Sequence, residues 1–360
     1  MDLLALSRNV PELTEIERLA ADLPSGVRVR VLDSVIHHGV ALPIHCFEVG
    51  PKDPSTPVFL LVGGVHGLER IGTHVVTSFM KTLFSHLAWD STQRGLFKKT
   101  RLVMVPLLNP SGMLLRTRSN SRGIDLMRNA PVEATQPHWV PFVGGHRLGP
   151  FLPWFRGLPE KDGGGLEKEA AALENLVRES VFPSEAALSL DVHSGFGTVD
   201  RLWFPYAKSR EPFPAMAEVF KLSALLDRTH PHHVYQIEPQ SLSYTTHGDL
   251  WDYFHDAWTT GKRPAGRFLP LALELGSWLW VKKNPRQLLS LLGAFNPIIR
   301  HRYRRILRRH FQLLDFMTRA AANHRQWTVV STRERRSVEE KAMDRWYSGQ
   351  APSSVAPAAK

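Results

Sequence analysis

Four short apolar runs constrain this chain more than any other feature. Residues 58–62, 101–107, 186–192 and 268–273 are rich in Val, Leu, Ala and Phe and carry few polar positions. A run of this kind is expected for a strand buried on both faces. Between them lie segments of helical spacing at 71–88, 166–181, about 212–227 and 249–259. Strands alternating with helices predict the α/β class: a mixed, mainly parallel twisted sheet with helices on both faces. Residues 10–22 also have helical spacing, and 27–32 and 41–49 flank the turn-prone HHGV, which predicts a hairpin. A further strand is expected near 233–238. Residues 130–165 are rich in Pro and Gly and predict a long irregular excursion.

Composition narrows the class further. With 43% apolar and 22% charged residues in 360, the chain is globular rather than low-complexity. No stretch approaches the ~20 apolar residues of a membrane helix. The first twenty residues lack a basic start followed by an apolar run, so no secretory signal is expected. Cys46 is the single cysteine, which excludes an intrachain disulfide and a cysteine metal cluster. A cytoplasmic location follows as the expectation. Net charge is +11, but 13 Lys/Arg against 5 Asp/Glu between Arg300 and Arg345 supply +8 of it. The body is therefore near neutral. Residues 284–325 read as helices, the last long and basic with a stripe of Ile306, Leu307, Phe311, Leu313 and Leu314. A single domain is expected over 1–325, followed by a basic, largely disordered tail over 326–360. Nucleic acid is not expected as a partner, although the basic helix could contact an anionic one.

In open α/β sheets, active residues gather beyond the carboxyl ends of strands. Four such ends carry polar groups here: GGVHGLER at 63–70, NPSG at 109–112 leading to GIDLMRN at 123–129, LDVHSGFG at 190–197, and LELG at 273–276. His66 and Glu69, three residues apart on a glycine-bearing turn, can converge on one cation. His193 from another strand end would complete a His₂Glu set, a recognised catalytic zinc arrangement. An isolated HxxE does not decide between a ligand pair and two surface residues, and the chain holds 17 histidines. Glu274 stands in an apolar run, where a carboxylate needs a partner or a function.

Taken together, these elements resemble the zinc carboxypeptidase family of metallopeptidases, the HxxE…H type, including its bacterial and deacylase-like relatives. The resemblance runs from about residue 58 to 276. It implies one Zn²⁺ ion held by His66, Glu69 and His193. Glu274 matches the general base, which takes a proton from the attacking water and returns one to the leaving amine. Asp125 resembles the carboxylate that orients the first histidine ligand. Arg116 and Arg118 compete for the position that stabilises the oxyanion. Arg116, nearer the NPSG turn, is preferred, and Arg118 then falls to substrate binding. Arg128 resembles the arginine that clamps the substrate's terminal carboxylate.

Tyr244, in YTTHGDLWDY, matches the tyrosine that closes over substrate, and Trp251 falls at the position lining the side-chain pocket. One residue departs from the family's pattern: Met127 stands where an asparagine usually shares the task of Arg128, and a thioether donates no hydrogen bond. The resemblance implies hydrolysis of a peptide or peptide-like amide. The alternatives are a deacylase of N-acylated amino acids, similar to aspartoacylase and succinylglutamate desuccinylase, and an inactive binding scaffold.

Overall fold

The computed structural model describes residues 7–158, 165–195, 197–261, 266–329 and 331–348. Its strands are β1 (Val27–His37), β2 (Val40–Val49), β3 (Val58–Gly63), β4 (Arg101–Val105), β5 (Ala186–Gly195), β6 (Arg201–Phe204), β7 (Gln236–Pro239) and β8 (Arg267–Gly276). They form one sheet in the order β1-β2-β4-β3-β5-β8-β6-β7. β4, β3, β5 and β8 run parallel at its centre. The β1–β2 hairpin joins β4 antiparallel, β6 joins β8 antiparallel, and β7 runs parallel to β6. The expected mixed α/β architecture is what the chain adopts.

Every residue of β3 and β4 is buried, which explains why these runs show no polar alternation. Side chains of a strand point alternately to the two faces. Phe59 and Leu61 accordingly join a core built with the Arg70–Trp89 and Arg300–Ala322 helices. Val58, Leu60 and Val62 join a second core with the Lys168–Ser180 and Leu250–Thr260 helices. β4 lies on one side of β3 and β5 on the other, so the carboxyl ends of β3 and β5 flank the switch point where such sheets open a crevice.

The structure departs from the sequence expectations in three places. NPSG is not a free turn but the first turn of a helix, Pro110–Leu115. Asn109 caps it by accepting from Gly112 N at 2.8 Å, and Pro110 takes the first helical position. β6 was not anticipated: RLWF is a short run that follows β5 after only five residues. Nor does packed structure end at residue 326. Trp327 is fully buried, and residues 332–346, expected to be largely disordered or weakly helical, form the helix Thr332–Trp346. Its polar sequence conceals one strong anchor: Trp346 packs on Phe204 with ring centroids 4.7 Å apart and donates to Ile237 O at 2.8 Å. Residues 349–360 of the expected tail, and Phe196 of LDVHSGFG, lie outside the described residues. No described helix is long and apolar enough to cross a membrane.

Candidate metal centre and active site

The loop after β3 is held against the loop after β4. Leu108 N donates to Gly63 O at 3.0 Å and Asn109 N to Gly64 O at 2.9 Å. Gly67 then crosses the Pro110–Leu115 helix so closely that a Cβ there would lie 2.0 Å from Gly112 C, which only glycine permits. Glu69 N donates to His66 O at 3.0 Å, and this turn folds the two side chains together, with His66 Nδ1 2.9 Å from Glu69 Oε1. β5 brings His193 to the same point. Its Nδ1 lies 3.2 Å from His66 Nδ1 and 3.3 Å from Glu69 Oε2. All three residues are buried, and one donor atom from each falls within a cluster no wider than 4.8 Å.

Two imidazole nitrogens and a carboxylate make a donor set that suits zinc. The outward nitrogens of both rings have carboxylates beside them, as oriented metal ligands do. Asp125 Oδ1 is 3.1 Å from His66 Nε2, and Asp191 Oδ2 is 2.9 Å from His193 Nε2. The sequence reading assigned Asp191 no role, yet the signal was there. Asp191 and His193 stand two apart in one strand, hence on the same face.

The electrostatics are those of a charged cluster held away from water. Burial alone would raise the Glu69 carboxylate, but His66 and His193 hold it far below the usual range. Burial opposes charge on Asp125 as well, and there Arg118 and His66 prevail. Burial would lower His193, whereas Asp191 and Glu69 raise it well above an ordinary imidazole. A metal ion held at His193 would have to displace a proton there. Glu274, half-buried on β8 and the Cα partner of His193, is pushed upward mainly by burial.

A cavity of about 800 Å³ opens over these groups, and Glu274, Arg118, Arg128 and Tyr244 line it. Arg118 donates to Asp125 Oδ2 at 2.7 Å and to Glu69 Oε1 at 3.2 Å. The preference for Arg116 is corrected here. Arg116 is exposed and off the cavity wall, because it caps the Pro110–Leu115 helix in the left-handed conformation at φ +58°. That reversal delivers the residue two places later to the site. Arg128 is buried, with its Nη2 3.5 Å from the Tyr244 hydroxyl and its Nε without a partner among the described residues. The segment bearing Tyr244 reaches it through Gly248, where φ is +71° and a Cβ would fall 1.8 Å from Arg128 O.

Trp251 does not line the cavity. It is buried beneath it and donates its indole N–H to Asp191 Oδ2 at 3.0 Å. Asp249 caps the Leu250–Thr260 helix by accepting from the amides of Trp251 and Asp252, and this fixes the indole toward β5. Met127 does line the cavity, beside Arg128.

With that geometry in place, comparison with known proteins is specific. A family model described as zinc carboxypeptidase matches residues 18–261. Mouse carboxypeptidase D is 27% identical over an alignment of 156 residues that covers 38% of this chain and 11% of that protein. Carboxypeptidase SOL1 of Arabidopsis thaliana is 29% identical over 92 residues, 25% of this chain and 19% of that protein. The chain thus matches only about a tenth to a fifth of the length of these curated relatives. Among solved structures, bovine thrombin-activatable fibrinolysis inhibitor in complex with tick carboxypeptidase inhibitor aligns with a TM-score of 0.58 at 17% identity. That alignment covers 89% of this chain and 96% of the other. Carboxypeptidase A from Helicoverpa armigera aligns with a TM-score of 0.57 at 18% identity over 88% of this chain and 71% of the other. At these identities the structural likeness is one of fold.

Proposed function

The chain belongs to the zinc carboxypeptidase family, and from that premise we propose that it hydrolyses the C-terminal peptide bond of a peptide or a peptide-like amide. The observation that carries the reading is the convergence of His66, Glu69 and His193 at the floor of a cavity whose wall also bears Glu274. Zinc held by those three residues would act as a Lewis acid and make water nucleophilic near neutral pH.

Each remaining part is assigned to this chain's own side chains. Glu274 holds the proton of the attacking water and passes it to the leaving amine. Its raised proton affinity suits a group that must both accept and donate. Arg118, fixed by Asp125 and Glu69, presents a positive charge where the carbonyl oxygen gains negative charge. Arg128 and the Tyr244 hydroxyl hold the substrate's terminal carboxylate, and the unpartnered Nε of Arg128 supports that assignment.

A second reading, deacylation of N-acylated amino acids, draws support from Met127, which puts a thioether rather than a donor beside Arg128. Both readings are tested by mass spectrometry of the zinc-loaded protein acting on peptides with free or amidated C-termini, together with N-acyl amino acids. Glu274→Gln serves as the control. Loss of single residues from free C-termini is the expected result, with turnover in Glu274→Gln reduced by roughly 10²- to 10⁴-fold and zinc content retained. Acyl release with peptides untouched would move the protein to the second reading. Wild-type rates in Glu274→Gln would remove Glu274 from the chemistry.

A further inference from the structure

Three arginines on the cavity wall are Arg118, Arg128 and Arg201, and the reaction proposed above employs only the first two. Arg201 opens β6. It is the antiparallel Cα partner of Glu274, which is itself the parallel partner of His193. Arg201 therefore stands one strand beyond Glu274 and two beyond His193, a lateral distance of about 10 Å at the ordinary strand spacing. Trp203 and its β8 partner Ala272 share the same face and line the same cavity. Trp203 also meets the Tyr244 ring edge-on, with centroids 6.3 Å apart. This part of the cavity thus continues from the place assigned to the terminal carboxylate.

The guanidinium is anchored from behind. Arg201 Nε donates to Glu238 Oε1 at 2.9 Å. Glu238 also accepts from Trp203 Nε1 at 3.4 Å and from Gln236 Nε2 at 2.5 Å, and it is not among the residues lining the cavity. Arg201 Nη1 instead lies toward Gly197 on the cavity wall, where a Cβ would come within 3.1 Å of it. Neither Nη atom makes a hydrogen bond among the described residues, and the side chain keeps 24% of its surface open. A planar guanidinium held by Nε, with neither Nη group hydrogen-bonded among the described residues, can pair with a second carboxylate.

We propose that Arg201 reads the side chain of the residue released, and that this residue is acidic, glutamate or aspartate. The proposal rests on the hydrolase reading above. With the terminal carboxylate at Arg128 and Tyr244, the side chain lies over Trp203 and reaches Arg201. An acidic side chain can pair with the guanidinium through two parallel bonds. A glutamine offers one acceptor and a donor that meets only donors. A lysine meets like charge, and a leucine removes water from the guanidinium without replacing its hydrogen bonds.

The test is a series of otherwise identical peptides ending in Glu, Asp, Gln, Leu or Lys, with kcat/KM measured for each on the zinc-loaded protein. Glu or Asp should exceed Gln at least about tenfold, with Lys slowest. Arg201→Gln should bring the Glu-to-Gln ratio near one, chiefly through KM, and Arg201→Lys should restore part of it. Leu or Lys as the fastest terminus, or a ratio that Arg201→Gln leaves unchanged, overturns the proposal. If Arg201→Gln does not fold, the wild-type series alone still decides.

Calorimetry with free glutamate, glutamine and leucine on the zinc-loaded Glu274→Gln protein reads the subsite without turnover. Glutamate binding that Arg201→Gln abolishes, together with a wild-type protein that cleaves no peptide, would keep the subsite and discard the hydrolase reading. Cleavage with no preference for acidic termini would do the reverse.

Discussion

Trp251 donates its indole N–H to Asp191 Oδ2 at 3.0 Å, and the same oxygen lies 2.9 Å from His193 Nε2. A side chain from the Leu250–Thr260 helix thereby holds a carboxylate on β5 that lies against an imidazole of the candidate metal centre. Asp191→Asn should weaken zinc binding about 10- to 100-fold, the usual effect of losing a ligand's carboxylate partner. Trp251→Phe should act in the same direction and less strongly. Competition against a chromophoric chelator measures both. Wild-type affinity in Asp191→Asn would dissociate this carboxylate from the metal centre.

Arg118 and Arg116 make a discriminating pair. Arg118 faces the cavity between Asp125 and Glu69, whereas Arg116 is exposed at a helix cap. Arg118→Met should lower kcat by roughly 10²- to 10³-fold, as loss of an oxyanion-stabilising group does. Arg116→Met should stay close to wild type. Steady-state kinetics on one cleaved peptide separates them, and the opposite order would restore the assignment that proximity to NPSG suggested.

Acid sensitivity should come in part from Glu12. This residue of the Pro11–Ala21 helix is 5% exposed and receives both Arg70 Nη1, at 3.1 Å, and His74 Nε2, at 3.0 Å. Burial alone would raise its carboxyl; His74 and Arg70 outweigh burial and lower it. A depressed folded value adds stability that is complete above the ordinary value of 4.5 and is lost as pH falls through the folded value. Glu12→Gln should therefore be less stable by about 1–3 kcal/mol at neutral pH. The deficit should shrink as acid protonates the wild-type carboxylate. Urea unfolding across pH checks this, and a gap independent of pH would contradict it.

The helix Thr332–Trp346 should contribute to global stability rather than trail in solvent. Trp346 is 6% exposed between Phe204 and Phe220. Trp346→Ala should cost about 3–5 kcal/mol, the range for deleting a buried aromatic ring. Thermal or urea unfolding of the single variant is the measurement. A loss below about 1 kcal/mol would mean that the helix docks without supporting the sheet.

How much of this was legible in the sequence depends on how local each determinant is. The central strands announce themselves because burial on both faces leaves β3 no polar position and β4 only its first, Arg101. His66, Glu69 and His193 can be paired in advance because each follows or ends such a run. Arg118 could not be separated from Arg116, since the choice turns on a single left-handed residue at the end of a six-residue helix. Trp251 was misplaced for a similar reason. The Asp249 cap sets the rotation of its helix and turns the indole under the cavity rather than into it. The Thr332–Trp346 helix read as at most weakly helical because Trp346, Ala342 and the Arg335–Glu218 and Lys221–Glu334 pairs hold it, and these make no periodic stripe. Arg201 was invisible because its side chain gains meaning only from the strand beside it.

The register of β3 against β5 has a thermodynamic corollary. Val62 pairs with Asp191 and Gly63 with Val192, so the sheet itself closes the long interval between Glu69 and His193. An ion arriving there joins two chain segments already adjacent, and it meets little of the loop entropy that a metal staple must overcome. Zinc should thus behave as an ordinary ligand of a preformed protein. Well above its dissociation constant, each tenfold rise in free metal should add about 1.4 kcal/mol to stability, and chelation should lower the melting temperature without abolishing cooperative unfolding.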